Sequence, residues 1–437
     1  MTFAKYDKMK DSGVSWIGEI PDTWSVNKLK FVCDIKRGKF THRPRNDPAL
    51  YGGAYPFIQT GDVENSNKEI LDFSQTLNEK GLSVSSLFPS NTIVMTIAAT
   101  IGSIAITTFP VCFPDSIVGF RSSELKFPFL YYYLKMLKKY LEGIASFTTQ
   151  KNINYEFLKP LIVPIPVLEE QKEIGIFLNT KMDEIDDEIF KNEKLIKLLK
   201  KQKESVINRA VTKGLDDSIL MQDSGISWLG KIPKNWIISK LKFESSIRGR
   251  VGWKGFKKTD LVDNGALVLG AKHIQESKLF LKEPNYLVWE KYYESPEIMV
   301  NQNDILIVQR GSIGKVVLID QNIGNATINP SLVLLTNIQF LPKYLWYVLQ
   351  SYFTITQLKH ISQTTAVPMI SQENIGNLNI LSPGSIKTQK QIVDYLDKKV
   401  MKIDSLISKV QLQIKNLGEV RESLISSTVT GKICISN

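Results

Sequence analysis

The sequence predicts an α+β chain of mixed strands and helices: two pseudo-repeated globular domains separated by two long helices. Three observations carry that prediction. Residues 11–31 (DSGVSWIGEIPDTWSVNKLKF) and 223–243 (DSGISWLGKIPKNWIISKLKF) agree at thirteen of 21 positions at an offset of 212. Each copy closes with an uninterrupted heptad pattern, and between opening and close lie short β-branched runs beside aromatic helical segments. A chain of 437 residues with 43% hydrophobic side chains has the apolar content for more than one core, which excludes wholesale disorder. Two copies of so long a unit are too few for a solenoid.

The opening element keeps Trp16/Trp228, Pro21/Pro233 and Trp24/Trp236 in register. Ahead of it, Met1–Lys8 has no apolar stretch behind its charges, so no signal peptide is expected there. Later segments match at drifting offsets, as loops of unequal length require. Thr100-Ile101-Gly102 corresponds to Ser312-Ile313-Gly314, Tyr133 to Tyr347, and Glu170-Gln171-Lys172 to Thr388-Gln389-Lys390. The middles, about 35–160 and 247–380, have diverged, which reads as one frame carrying two different recognition surfaces.

Within the first middle, Gly81–Pro114 carries no charge, yet Pro89, Gly102 and Pro110 break it and Ile, Thr and Ser fill it. Buried strands fit better than a membrane span, and the repeat agrees: the partner stretch 303–320 contains Asp304, Arg310, Lys315 and Asp320. Strand-like runs at Thr92–Ala98 and Ile305–Gln309 stand beside aromatic helical segments at Phe127–Leu141 and Pro342–Leu358. Tyr131, Tyr132, Tyr133, Trp346 and Tyr347 could stack on bases, but their apolar setting favours core packing.

Each copy ends in a long helix. Leu178, Met182, Ile185, Ile189, Asn192, Ile196, Leu199, Lys203, Val206 and Ala210 alternate four- and three-residue steps. Leu396, Val400, Ile403, Ile407, Val410, Ile414, Leu417, Arg421, Leu424 and Thr428 repeat the register. A 3.5-residue period held over five heptads is a coiled-coil signal, and each helix would run roughly 60 Å. Asn192, opposite Val410 in the repeat, is a polar break suited to fixing register. The expected boundaries are residues 1–165 and 214–385 for the globular domains, 166–213 for the central helix, and 386–437 for the closing helix and tail.

Charge localises the candidate chemistry. Lys plus Arg exceed Asp plus Glu by 55 to 44, a net +11, which favours a polyanionic partner, nucleic acid before membrane. The first long helix is neutral, while 27–162 holds 16 basic against 11 acidic residues and 238–386 holds 15 against 11. The excess concentrates in Lys36, Arg37, Lys39, Arg43 and Arg45, and again in Arg248, Arg250, Lys254, Lys257 and Lys258. Lys36 falls on Arg248 at the repeat offset, so one basic, Gly-bearing loop has kept its place and changed its letters. Such loops can neutralise phosphates or read guanine edges; the bland alternative is a solvated charged loop. Thr60, Lys151, Asn152, Lys272, His273 and Arg310 lie in further polar loops of the same class, including Gln59-Thr60-Gly61-Asp62 matched by Gly270-Ala271-Lys272-His273.

Catalytic patterns fail on spacing. Gly311-Ser312-Ile313-Gly314-Lys315 lacks the phosphate-loop spacing, and Asn329-Pro330 is followed by Ser331-Leu332 where a methyltransferase motif needs Pro and an aromatic. Pro114-Asp115 with Glu124-Leu125-Lys126 spells a metal-dependent nuclease constellation at short spacing, and the second copy has no acid at the equivalent Pro330. Three cysteines (Cys33, Cys112, Cys434) and three histidines (His42, His273, His360) give no zinc-cluster or triad spacing, and a reducing cytoplasm suits them.

The SGxSWxGxIPxxW opening (Ser12–Trp24, Ser224–Trp236), the Pro-x-x-x-x-Gln-x-x-Ile helix entry (Pro166 to Ile174) and the duplicated long helices together resemble the specificity subunit of type I restriction–modification systems over nearly the whole chain. The second entry, Pro383 to Gln389, is one residue longer and lacks the acid before Gln389. The resemblance implies two target recognition domains, spaced by two helices packed as an antiparallel coiled coil. Together they would read a bipartite, asymmetric site in double-stranded DNA. It implies two methyltransferase subunits carrying S-adenosylmethionine, which methylate adenine, and motor–nuclease subunits using ATP and Mg²⁺. The chain itself would be non-catalytic, would carry no cofactor and would touch no membrane. The rival readings are a coiled-coil scaffold without a DNA role and a self-contained nuclease using Asp115, Glu124 and Lys126.

Overall fold

A computed structural model describes residues 5–145, 152–250, 255–362 and 369–435. The chain divides into two compact units, one formed by the chain up to Asn192 and from Leu412 onward, the other by Glu193–Gln411. The two long helices are Leu168–Lys213 (46 residues) and Ile386–Val429 (44 residues).

In the first unit a five-stranded sheet runs Asp34–Arg37, Ile117–Arg121, Ile93–Thr96, Ile104–Thr107, Glu69–Ile70, antiparallel except for the last pair. A four-stranded sheet beside it runs Gln75–Leu77, Tyr51–Phe57, Val111–Cys112, Leu87–Phe88. The uncharged Gly81–Pro114 stretch is thus four strands, and Ile93–Thr96 is buried on both faces, which accounts for its near-continuous apolar composition. Among the described residues no helix is long and apolar enough to cross a membrane.

The second unit repeats the central pattern. Ser246–Gly249, Leu332–Thr336, Ile305–Val308 and Val316–Leu318 form one antiparallel sheet. Leu261–Val262, Asn285–Leu287, Ala266–Leu269 and Ala326–Ile328 form the other. The aromatic helix Phe127–Ala145 is continuous in the first unit, whereas its counterpart breaks into Pro342–Gln350 and Tyr352–Ser362. Ser351 and Thr354 turn their hydroxyls onto the Val348 carbonyl, and Asn208 accepts the Phe353 N–H, so side chains satisfy the backbone at the break. Tyr131, Tyr132, Tyr133 and Tyr347 are buried core residues and Trp346 is half-buried.

The motifs shared by both copies are structural. Gln171 is buried; its Oε1 accepts the Lys126 N–H at 2.7 Å and its Nε2 donates to the Pro166 carbonyl at 3.0 Å. Gln389 does the same with the Leu341 N–H (2.8 Å) and the Ser382 hydroxyl (3.3 Å). A glutamine amide carries its acceptor and its donor on separate atoms of one neutral side chain, so Gln at this place ties the long helix to the start of the aromatic helix. Against this anchor Tyr132 donates to Asn179 and Tyr347 to Asp397, which makes Tyr132, not Tyr133, the counterpart of Tyr347. In the opening motif, Asp11 and Asp223 accept the N–H of Gly13 and Gly225 in matching turns, and Trp24 and Trp236 are buried behind them. The glycine after each long helix meets one of these Trp residues. Gly431 (φ +69°) would place a Cβ 2.1 Å from Pro21 Cδ beside Trp24, and Gly214 (φ +79°) one 3.3 Å from Trp236 Cζ2. Only glycine reconciles that left-handed helix end with so close an approach.

Within the first unit, Leu178, Met182 and Ile185 share one core with Leu424, Ile425 and Val429, and Arg421 pairs with Asp186. Within the second, Leu199 meets Ile403 and Ile407, and Lys203 pairs with Asp404 at 2.8 Å. Asp186 and Asp404 are repeat equivalents, as are Lys203 and Arg421. Lys203 and Arg421, the two cations at seam positions, therefore each find an acid at the repeat-equivalent place. Burial of the Leu and Ile seam residues, about 1.5–3 kcal/mol each, outweighs partly exposed ion pairs of about 0–1 kcal/mol.

Candidate nucleic-acid interface

In the first unit the basic segment leaves the edge strand Asp34–Arg37 and crosses to the second sheet. Lys36, Arg37, Lys39, Arg43 and Arg45 are all exposed. Two of them converge on one acid: Arg37 Nε donates to the Asp115 carbonyl at 2.7 Å, and Arg45 Nη2 meets Asp115 Oδ1 at 2.5 Å. Arg43 donates to the Phe40 and His42 carbonyls, with a cis Arg43–Pro44 peptide next to it. Asp47 ends the segment by accepting the Ala49 N–H at 3.0 Å; that bond and the neighbouring His42 hold its carboxyl below the usual range. The loop is therefore fixed to the sheet by its own guanidinium groups; Lys36 is exposed and pairs with the exposed Asp34 at 2.9 Å, and Lys39 is exposed. Thr60 is half-buried at the start of the helix Thr60–Asn65, and Asn152 is exposed opposite Ala98. Lys151 lies outside the described residues, as do Thr149 and Gln150.

The second unit separates its candidates. Arg248 is exposed on Ser246–Gly249, and Lys257 and Lys258 are exposed at the 3₁₀ turn Lys258–Asp260. Lys272 is exposed and donates to the Glu283 carbonyl; Arg310 is exposed with Nε 3.0 Å from Met369 Sδ. Lys254 lies outside the described residues. Two expectations are corrected. Arg250 is buried, its Nε donating to the Ile328 carbonyl at 2.9 Å and its Nη2 to the Thr327 hydroxyl at 3.0 Å, with Phe256 against the guanidinium. It ties two strands together and offers nothing to a phosphate. His273 is also buried, and its Nδ1 accepts the Gly270 N–H at 3.1 Å, which leaves the ring proton on Nε2. Asp62 accepts the Gln59 N–H at 2.7 Å in the first unit in the same way. The matched loops Gln59–Asp62 and Gly270–His273 are thus helix-start caps, a role filled by Asp62 in one copy and His273 in the other.

The enzyme-like spellings resolve into turns and pairs. Gly311 and Gly314, both at positive φ, turn the hairpin between Ile305–Val308 and Val316–Leu318. Asn329 accepts the Ser331 N–H and hydroxyl in a local turn. Asp115 is engaged by Arg37 and Arg45, while Glu124 stands by Ser122, Arg121 and Asp34 at a polar surface hollow. Among the described residues no group of three or more His, Cys, Asp or Glu is placed to hold a metal ion. Sequence reasoning passed over Tyr51 and Gln75, which the four-stranded sheet brings beside the basic loop. Only strand pairing carries that signal.

The family model for the type I restriction modification DNA specificity domain matches residues 21–201 and 254–416. The chain is 25% identical over 317 residues to the type I restriction enzyme MjaVIII specificity subunit of Methanocaldococcus jannaschii, spanning 71% of each. It is 23% identical to the putative MjaX specificity subunit of the same organism, spanning 95% of each. Its fold is similar to that of a chain from a study of complex assembly and conformational transition in the type I R-M system (TM-score 0.70, 14% identity, 94% and 98% covered). The HsdS subunit of Thermoanaerobacter tengcongensis gives a TM-score of 0.50 at 15% identity, with 95% and 98% covered. Matched in both halves, the chain belongs to the type I restriction–modification DNA specificity family.

Proposed function

We propose that the chain selects the DNA on which a type I restriction–modification complex acts, reading a bipartite, asymmetric duplex site with one globular half per half-site. One observation carries this: both halves share a frame down to Gln171/Gln389, yet each holds a different exposed basic surface, Lys36–Arg45 in one and Arg248, Lys257 and Lys258 in the other. Lys and Arg there neutralise phosphates and position the protein, while neighbouring polar side chains read base edges. Half-sites of duplex DNA recur about every 34 Å, and the paired long helices set the gap between them.

In this reading the chain is cytoplasmic and non-catalytic. Two methyltransferase subunits supply adenine methylation with S-adenosylmethionine. Motor–nuclease subunits supply ATP- and Mg²⁺-dependent restriction. Methylome sequencing of a host expressing this chain with its cognate methyltransferase subunit, beside a host lacking only this chain, tests it. A new bipartite methyladenine motif with a fixed gap is the expected result. Absence of any new motif from an assembled complex overturns it.

A further inference from the structure

A cleft of about 350 Å³ opens beside the basic loop of the first unit, bounded by Phe40, Arg45, Tyr51, Phe57, Gln59 and Gln75. Its walls are packed aromatic rings. Phe40 and Phe57 lie 5.1 Å apart, Tyr51 meets Phe57 edge-on at 6.2 Å, and the Tyr51 hydroxyl donates to the Arg45 carbonyl. At its rim two exposed amides hold each other: Gln59 Nε2 donates to Gln75 Oε1 at 2.6 Å. Gln59 is further fixed through its backbone, which Asp62 caps, and Gln75 sits on a paired strand opposite Phe57. Long exposed glutamines ordinarily lose rotamer entropy when ordered, so a mutually fixed pair is pre-organised for a ligand. The amide hydrogens that this bond leaves unused, and the second lone pair of Gln75 Oε1, offer donors and an acceptor together. That is the pairing that the N7 and N6 of adenine require in the major groove.

The equivalent positions of the second unit hold no such pair. Gly270 stands where Gln59 does, and a Cβ built there would lie 2.6 Å from Asn329 Nδ2. Asn285 replaces Gln75: it pairs with Val268, two residues before Gly270, as Gln75 pairs with Phe57, two before Gln59. The frame is shared, and the amide pair belongs to one half alone, as a letter of one half-site must.

We infer that the Gln59–Gln75 amide pair reads an adenine in the half-site bound by the first unit. The inference rests on the DNA-reading role proposed above. In methylome sequencing, Gln59→Ala and Gln75→Ala, each expressed with the cognate methyltransferase subunit, should leave the other half-site and the gap unchanged. Each should relax one A·T position of the first half-site, with discrimination falling on the order of ten- to a hundredfold. Both positions are exposed, and an unchanged melting temperature of the purified complex confirms that folding is intact. An unaltered motif in both variants overturns the inference, as does a loss spread evenly over the half-site or confined to a G·C position. If the unmutated chain yields no bipartite motif, the DNA-reading role itself fails, and the control reveals that separately.

Discussion

The two halves treat their arginines differently on nearly the same framework. In the first, Arg37 and Arg45 stay exposed and share Asp115, so the basic loop is bound to the sheet by charge. In the second, Arg250 is buried and bonded to the Ile328 carbonyl and the Thr327 hydroxyl. Its neighbour Arg248 faces solvent. The same residue type at nearly the same place is surface chemistry in one copy and internal bracing in the other. Duplication preserves the frame that holds a loop, and divergence then decides whether each cation works inside or outside it.

The comparison breaks most visibly by exchange. Replacing residues 247–380 with those of another family member should rewrite one half-site of the methylated motif and leave the other intact. A change in both halves of the sequenced motif would dismantle the two-module view. The next largest effect is on stability: Arg250→Ala should cost about 1.5–3 kcal/mol by leaving the Ile328 carbonyl and Thr327 hydroxyl buried without that donor. Arg43→Ala, on the exposed loop, should stay within about 0.5 kcal/mol. Denaturant melts of the two variants read the contrast directly.

Neutralising Lys36 and Lys39 together should weaken binding to all duplexes alike. It should also lower the slope of log affinity against log salt by about 1.8, at ~0.9 per phosphate contact. Titrations between low and moderate salt measure it, and an unchanged slope would reduce this loop to a solvated surface. A smaller effect distinguishes the caps. Burial, with help from Lys272, pulls the His273 pKa down, so the folded second half binds fewer protons than the unfolded chain. Its stabilising contribution is present above the unfolded histidine range, about 6.5, and is lost as pH falls below it through the lower folded value. Thermal melts at pH 8 and pH 5.5 should therefore diverge more for the native chain than for His273→Gln.

Much of this architecture was legible without coordinates. Heptads running from Leu178 and from Leu396 predict both long helices, because a 3.5-residue apolar period has few other uses. The uncharged stretch around Ile93–Thr96 is apolar because both its faces are covered. The site was less legible. Arg248 and Arg250 read as equals, yet the strand ends at Gly249, and Arg250 leaves the alternation that would have kept both on one face. Lys203 and Arg421 read only as members of the heptad register, and their acidic partners Asp404 and Asp186 come from a helix more than two hundred residues away.

The sequence by itself determined the duplication, the paired helices and the sign of the charge, since these depend on period and composition along the chain. Tertiary structure alone decided that Arg37 and Arg45 meet at Asp115, that Gln59 meets Gln75, and that Arg250 and His273 are inside. The first two depend on segments 16 to 78 residues apart coming together, where no local pattern records which side chains will face each other.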